Sequence, residues 1–153
     1  MRKLLIAVLI NIVFAGYASL AGAGERGTAA EAEAMVKKAI AYMKMHGNQK
    51  AFAEFQNPKG QFVDRDLYVW VADLNGTTLA HGANPKLANK NLIEFKDVDG
   101  KYFVKERVEL AKTKENFWHD YKYFNPATKK IENKSAYVER TGDLIVGSGI
   151  YKP

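Results

Sequence analysis

The chain has 153 residues, contains no cysteine and carries a formal net charge of +6. Without cysteine it can form no disulfide, no zinc–thiolate site and no cysteine nucleophile. Its basic residues are scattered among acidic ones instead of forming a run, a pattern that gives little support to nucleic-acid binding.

The first 23 residues have the three parts of a secretory signal peptide. Met1-Arg2-Lys3 is basic, the stretch 4–14 is almost wholly apolar, and Ala21-Gly22-Ala23 forms a small-x-small cleavage site. The apolar stretch is shorter than the roughly 20 residues that a membrane-spanning helix needs, so an uncleaved inner-membrane anchor is the less favoured alternative. We therefore predict a signal peptide over 1–23, export to a periplasm, and one domain over 24–153.

The start of this domain has the sequence features of a long amphipathic helix. Thr28 and Glu31 have the spacing of a capping box, in which each side chain bonds the backbone N–H of the other residue. Apolar residues then recur at helical spacing, and Gly47 can supply a left-handed stop. These features predict a helix over 28–46 whose apolar side packs on the domain's own sheet, followed by a shorter helix over 48–55.

Residues 67–81 are predicted to form a hairpin around which the rest of the chain is arranged. The run Tyr-Val-Trp-Val is aromatic or β-branched, and the following Asn-Gly pair suits a tight turn. Successive side chains alternate between the two faces of a strand. We therefore expect Tyr68 and Trp70 to face a cavity, and Val69 and Val71 to pack beneath the helix.

The remaining elements complete an α+β domain. The stretch 82–91 is polar and irregular, 97–100 forms a turn, and 102–112 has helical spacing. Three strands, over 117–124, 131–140 and 144–151, are joined by short turns and therefore form an antiparallel meander. Glycines within the last strand, at Gly147 and Gly149, indicate that another group packs closely there. The prediction is a long N-terminal helix packed on a central antiparallel sheet of about five strands.

Aromatic and polar side chains concentrate on the predicted sheet. They are Tyr68, Trp70, His81, Trp118, Tyr121, Tyr123, Lys134 and Tyr137. Such a set can enclose a small polar solute, because the rings exclude water and the polar tips supply hydrogen bonds. The alternative is that each Tyr or Trp is present only because aromatic residues favour strands, with its polar tip in water. The sequence shows no metal-ligand spacing and no catalytic constellation, so it predicts neither a metal, nor a cofactor, nor an enzyme.

The order of several short motifs resembles the single Cache domain of the second type, an extracytoplasmic sensor family. The motifs are Tyr68-Val69-Trp70-Val71, Asp73 to Gly76 with Leu79-Ala80-His81, Asn84-Pro85-Lys86-Leu87, Asp97 to Lys101 with Phe103-Val104-Lys105, Trp118 to Tyr121, Asn125-Pro126, Lys134 to Arg140, and Val146 to Tyr151. The resemblance covers 67–151, and the helix over 28–46 fits the family's N-terminal helix. It implies a PAS-like fold with a ligand pocket between the sheet and the segment 82–116.

The resemblance also implies a ligand class and the residues that bind it. The expected ligands are short carboxylates such as acetate, propionate, pyruvate or lactate. The matching positions are His81 and Lys134 as carboxylate donors, Tyr121 and Tyr137 as hydroxyl donors, and Tyr68, Trp70 and Trp118 as walls. Lys134 and Tyr137 are three residues apart in one strand, so either a bulge separates them or one of them faces away.

Two functions are expected from these features. The first is a periplasmic small-molecule binding or sensing domain in signal transduction, such as chemotaxis. The family domain usually sits between two membrane helices, whereas this sequence ends at Pro153 directly after the last strand. We therefore expect a stand-alone secreted domain whose partner is a membrane receptor or histidine kinase. The second function is an interaction module that binds no ligand and docks on such a receptor or kinase, or forms a homodimer through the helix over 28–46.

Overall fold

The computed structural model describes residues 26–152. The predicted signal peptide, over 1–23, lies outside the described residues. None of the helices in this part of the chain combines the length and the apolar character that crossing a membrane requires.

Three α-helices and eight strands make up the described fold. In chain order they are α1 (Ala29–His46), α2 (Asn48–Phe55), β1 (Val63–Asp64), β2 (Leu67–Tyr68), β3 (Trp70–Asp73), β4 (Thr77–His81), β5 (Lys90–Asn91), α3 (Phe103–Thr113), β6 (Asn116–Asn125), β7 (Lys130–Thr141) and β8 (Leu144–Lys152). One antiparallel sheet has the strand order β5-β4-β3-β8-β7-β6, and β1 and β2 pair separately. The predicted α+β class, with a long N-terminal helix on an antiparallel sheet, is confirmed.

The sheet has six strands, one more than the number expected from the sequence. The additional strand is β5, a pair of polar residues that bonds Thr77 and Thr78 of β4 at one edge. So short a polar strand has no β-prone pattern that could reveal it. The first predicted strand is also divided between β2 and β3 at Val69, because the N–H of Val69 bonds the carbonyl of Phe62 at 3.2 Å.

The long helix α1 begins at the predicted capping box. Thr28 Oγ1 accepts from Glu31 N at 3.3 Å, and Glu31 Oε2 accepts from Thr28 N at 2.8 Å. Gly47 follows the helix with a φ of 78°, a conformation that residues with a Cβ rarely adopt. The apolar side of α1 is buried on β7 and β8, as its spacing predicts.

The sheet lies between two layers of helix, and its two faces receive different side chains. Val69 and Val71 are buried with the apolar sides of α1 and α2. Tyr68 and Trp70 are buried on the opposite face, against α3. The alternation predicted for the hairpin is therefore confirmed, and α3 covers the aromatic face.

Gly147 of β8 allows the Trp70 indole to pack directly on the strand backbone. The two residues are neighbours across the β3–β8 ladder. A Cβ at position 147 would lie 2.0 Å from Trp70 Cζ2, far inside any contact distance between carbon atoms. The close packing predicted from the glycines of the last strand is therefore confirmed at Gly147.

The outer edge of β6 is covered at one place by the segment between β5 and α3. There Lys122 N donates to Asp97 Oδ2 at 3.0 Å, and Lys101 Nζ donates to the carbonyl of Asp120. The Asp97 carboxylate also accepts from the N–H groups of Asp99 and Lys101 within its own turn. Side chains thus satisfy two backbone groups of an edge strand, as a further strand would.

The two ends of the described chain lie side by side. Arg26 Nη1 bonds Glu132 Oε2 of β7 at 2.6 Å and donates to the carbonyl of Tyr151 in β8 at 3.5 Å. Gly27 N donates to Asp66 Oδ1 at 2.7 Å, in the turn between β1 and β2. The residues that lead into α1 are therefore fixed against the last two strands.

Gly147→Ala is expected to destabilise the fold by about 1–3 kcal/mol, the usual cost of overpacking a filled core. The added methyl group must displace either the Trp70 indole or the backbone of β8. Urea unfolding measures the difference, with Ser148→Ala in the same buried strand as the control. Equal unfolding midpoints for wild type and Gly147→Ala would show that the indole is not held against this backbone.

Candidate functional site

A cavity of about 30 Å³ lies between the sheet and α3. Its walls come from β3, β4, β6, α3 and the segment between β5 and α3. The lining residues are Trp70, Ala72, Thr78, His81, Leu92, Phe103, Val104, Arg107, Tyr121 and Tyr123. The cavity occupies the place expected for a ligand pocket, and it combines an apolar enclosure with a few polar groups.

Arg107 places a guanidinium group at the cavity wall. It lies on the buried side of α3 and is 5 % exposed. Its guanidinium carbon is 4.0 Å from the centre of the Trp70 ring and 5.0 Å from that of Tyr121, and stacking on aromatic rings stabilises the charge. Burial lowers the pKa of Arg107, but a guanidinium remains protonated at neutral pH. The wall of the cavity is therefore positively charged.

Two residues that line this cavity carry buried hydrogen-bond donors without acceptors. Within residues 26–152, Arg107 Nε, Arg107 Nη2 and Trp70 Nε1 are buried and have no hydrogen-bond partner. No carboxylate of the same residues forms an ion pair with Arg107. A buried N–H without an acceptor costs about 1–3 kcal/mol. An acceptor group bound in the cavity would remove this cost.

His81 contributes a neutral imidazole with a defined tautomer. Asn84 N donates to His81 Nδ1 at 3.1 Å, so the ring proton resides on Nε2. Burial, together with the positive charges of Lys134 and Arg107, lowers the pKa of His81 to about 3. The imidazole is therefore neutral at physiological pH and adds an N–H donor to the cavity wall.

Lys134 lies behind the cavity wall, inside a cluster of tyrosines. Its Nζ donates to Tyr68 Oη at 2.7 Å and to Tyr151 Oη at 3.3 Å. Tyr151 Oη in turn donates to the carbonyl of Phe124 at 2.6 Å. The Tyr68 ring contacts the His81 ring, with 5.0 Å between their centres. Burial lowers the pKa of Lys134 well below its usual value and raises that of Tyr68. Neither Tyr68 nor Lys134 lines the cavity, so Lys134 supports the wall indirectly, through Tyr68 and then His81.

The structure brings together five of the seven site residues expected from the sequence. Tyr68, Trp70, His81, Tyr121 and Lys134 share the face that α3 covers. Trp118 and Tyr137 lie on the opposite face, with 5.5 Å between their ring centres. Trp118 is 41 % exposed there, and Tyr137 Oη donates to Glu139. β7 keeps a regular register from Lys134 to Tyr137, so Tyr137 is the residue of this pair that faces away.

Arg107 is the main site residue that sequence reasoning missed. Its signal is visible in the sequence, because it shares the apolar stripe of α3 with Phe103, Val104 and Val108. A charged residue in an apolar stripe is buried with a partner or serves a function. Tyr151 was also missed, since only its pairing with Lys134 across the β7–β8 ladder reveals its role.

A second buried histidine, His119 of β6, lies beneath α3. Its Nε2 atom is 3.4 Å from Glu106 Oε1. Burial, together with the charges of Arg107 and Lys101, lowers the pKa of His119 to about 3. Both buried histidines therefore stay neutral in the folded chain at pH values where the unfolded chain binds protons.

Folding stability is expected to fall as the pH decreases from about 6.5 towards 3, because protons then bind the unfolded chain preferentially. The contribution of each histidine is complete above this window, and its loss amounts to at most about 1.4 kcal/mol per pH unit. Urea unfolding at about pH 7 and pH 5 measures the loss. His119→Gln should halve the loss of unfolding free energy between these two pH values. His46→Gln, an exposed control, should leave that loss unchanged. If His119→Gln lost as much unfolding free energy as wild type over this range, His119 would not be held neutral in the folded chain.

Known proteins with related sequences and folds were found. The methyl-accepting chemotaxis protein McpP of Pseudomonas putida is 32 % identical over 90 residues, which make up 58 % of this chain and 16 % of McpP. A methyl-accepting chemotaxis protein from Vibrio parahaemolyticus has a TM-score of 0.70 and 20 % identity, over 80 % of this chain and 86 % of that one. A Cache chemosensory domain, solved for the structural basis of carboxylic acid recognition, has a TM-score of 0.64 and 24 % identity, over 79 % of this chain and 86 % of its own.

These relatives agree with the motif order seen in the sequence. At these identities the two solved structures show a shared fold, and this chain spans less than a fifth of McpP. The model of one family, Single Cache domain 2, matches residues 5–152, which include every residue that the structure describes. The chain belongs to the single Cache domain 2 family.

Proposed function

We propose that this domain senses a small carboxylate bound in the cavity beneath α3. The observation that carries the proposal is the set of buried donors without acceptors on Arg107 and Trp70, which the neutral imidazole of His81 extends. An ionised carboxylate is an acceptor-only group, and its two oxygens match such donors. Its charge also compensates that of Arg107, in a charge-assisted contact that is stronger than a neutral hydrogen bond.

The size of the cavity restricts the ligand to a small one. With about 30 Å³ of free space between its walls, the cavity suits a short acid better than a larger ligand. Leu92, Phe103 and Val104 supply apolar surface for a short alkyl group. Acetate, propionate, pyruvate and lactate are the first candidates.

The relatives support a role in signalling. One structural neighbour is a Cache chemosensory domain studied for carboxylic acid recognition, and McpP is a chemotaxis protein. Since this chain corresponds to a small part of McpP, the location and partners belong to the proposal as well. We place the domain in the periplasm, where a membrane receptor or histidine kinase responds to ligand binding in the cavity.

The alternative is a module that binds no ligand and docks on a receptor, or pairs with a second copy through α1. This alternative does not explain why uncompensated donors are buried beneath α3. A docking module gains no thermal stability from small acids, so the same measurement separates the two functions.

A panel of short acids is expected to contain one that raises the Tm by several degrees. At about 100 times its Kd, such a ligand stabilises the folded state by about 2.7 kcal/mol. Arg107→Gln should abolish the shift, and Arg107→Lys should weaken it because lysine lacks the planar fork of donors. Lys105→Gln removes an exposed charge from the same helix and should respond as wild type does. If no acid of the panel shifts the Tm of folded wild type, the proposed function is wrong.

The two tryptophans distinguish the cavity from the opposite face of the sheet. Trp70→Phe keeps an aromatic ring against Gly147 but removes the N–H group, and is expected to raise the Kd of the bound acid about tenfold. Trp118→Phe is the matched control, because Trp118 lies on the α1 face, and should leave the Kd unchanged. Isothermal titration calorimetry measures both values. The reverse ranking would place the ligand on the α1 face.

A further inference from the structure

The walls of the cavity differ in how firmly they are held. The strands are joined by backbone ladders, and α3 buries an apolar stripe against the sheet. The remaining wall is Leu92, the first residue of the segment 92–102, here called the strap, which contains neither helix nor strand and no buried residue. Regions with few buried contacts open at the lowest free energy. The strap is therefore the wall that opens most readily.

The strap is anchored at both ends and docked in the middle. At its start, Leu92 N donates to the carbonyl of Gly76 at 2.9 Å, next to the β3–β4 turn. At its end it continues into the first buried residue of α3, Phe103. Between these points, polar contacts of its side chains join it to the exposed edge of β6. The strap is thus fixed at its start, where Leu92 and Ile93 pack against the core, and at its end by α3, whereas three polar contacts hold its middle.

We propose that the strap is the gate through which ligands reach the cavity, and that Asp97 is its latch. The gate rests on the proposed function, because it controls passage into the cavity where the carboxylate binds. Leu92 lines the cavity at the start of the strap. Phe103 lines it directly after the end of the strap, so lifting the middle of the strap from β6 opens the side of the cavity between these two residues.

Asp97 is suited to be the latch because one carboxylate holds the strap in two ways. Its Oδ1 accepts from the N–H groups of Asp99 and Lys101, which shapes the turn. Its Oδ2 accepts from Lys122 N, which ties that turn to β6. The neighbouring Asp99 instead pairs with Lys122 Nζ at 2.9 Å, an exposed ion pair that contributes little in water.

The indole N–H of Trp70 reports access to the cavity without any ligand. It is buried and lacks an acceptor, so it exchanges with deuterium when water reaches the cavity. The chain contains two tryptophans. In a Trp118→Phe background the single indole signal in the NMR spectrum therefore belongs to Trp70. Urea unfolding of each variant separates opening of the strap from global unfolding.

Asp97→Asn is expected to speed this indole exchange about tenfold, as loss of a charge-assisted hydrogen bond predicts. Lys101→Met removes the neighbouring contact to the carbonyl of Asp120 and should act in the same direction. If Asp97→Asn lowers global stability, the exchange rate of Lys101→Met tests the gate instead. Asp99→Asn makes the same chemical change in the same turn without touching the latch, and should exchange at the wild-type rate.

Equal exchange rates in wild type, Asp97→Asn and Lys101→Met would overturn the gate. A rate that rises as much in Asp99→Asn would overturn the latch, because the whole turn would then be loosened by any loss of charge. A faster dissociation of propionate from Asp97→Asn supports the gate. If no acid binds the wild-type protein, the proposed function fails, whereas the exchange rates still decide whether the strap controls access.

Discussion

The packing of Trp70 on Gly147 and under Arg107 joins the sheet to α3. The indole rests on the backbone of β8, and the Arg107 guanidinium stacks on it at 4.0 Å. This contact sets the separation of the sheet and α3, and therefore the height of the cavity between them. Any larger residue at position 147 would move the indole, and the arginine that stacks on it, away from the sheet. The lack of a side chain at Gly147, in the centre of the sheet, thus determines the shape of the site.

The two buried basic side chains on this face have their hydrogen bonds satisfied to different degrees. Lys134 donates to two tyrosine hydroxyls and lies 3.8 Å from the centre of the Tyr68 ring. Arg107 has aromatic stacking, but two of its nitrogens find no acceptor among the residues that the structure describes. Each unmet donor costs about 1–3 kcal/mol, free energy that an acceptor group bound in the cavity would recover. Lys134 therefore has the surroundings of a structural residue, and Arg107 those of a ligand-binding one.

Local patterns in the sequence predicted much of the fold but only part of the site. The capping box at Thr28 and the alternation of Tyr68 and Val69 depend on neighbouring residues, so they could be predicted without the fold. The contact of Arg107 with Trp70 depends on how α3 crosses the sheet, and no spacing of residues in the sequence indicates that crossing. Trp118 was grouped with the cavity although it stands at odd spacing from Tyr121, the same parity that separates Lys134 from Tyr137. Applying that rule to both strands would have placed Trp118 on the other face.

The first and last residues that the structure describes lie together, an arrangement that suits insertion of this domain into another chain. Because Arg26 is bonded to Glu132 and lies against Tyr151, the fold begins and finishes at one point on its surface. A unit of this geometry can be inserted into a loop of another chain without a long linker, since the host has only a narrow gap to bridge. Recombination can therefore attach the same domain to unrelated partners while its interior remains unaltered.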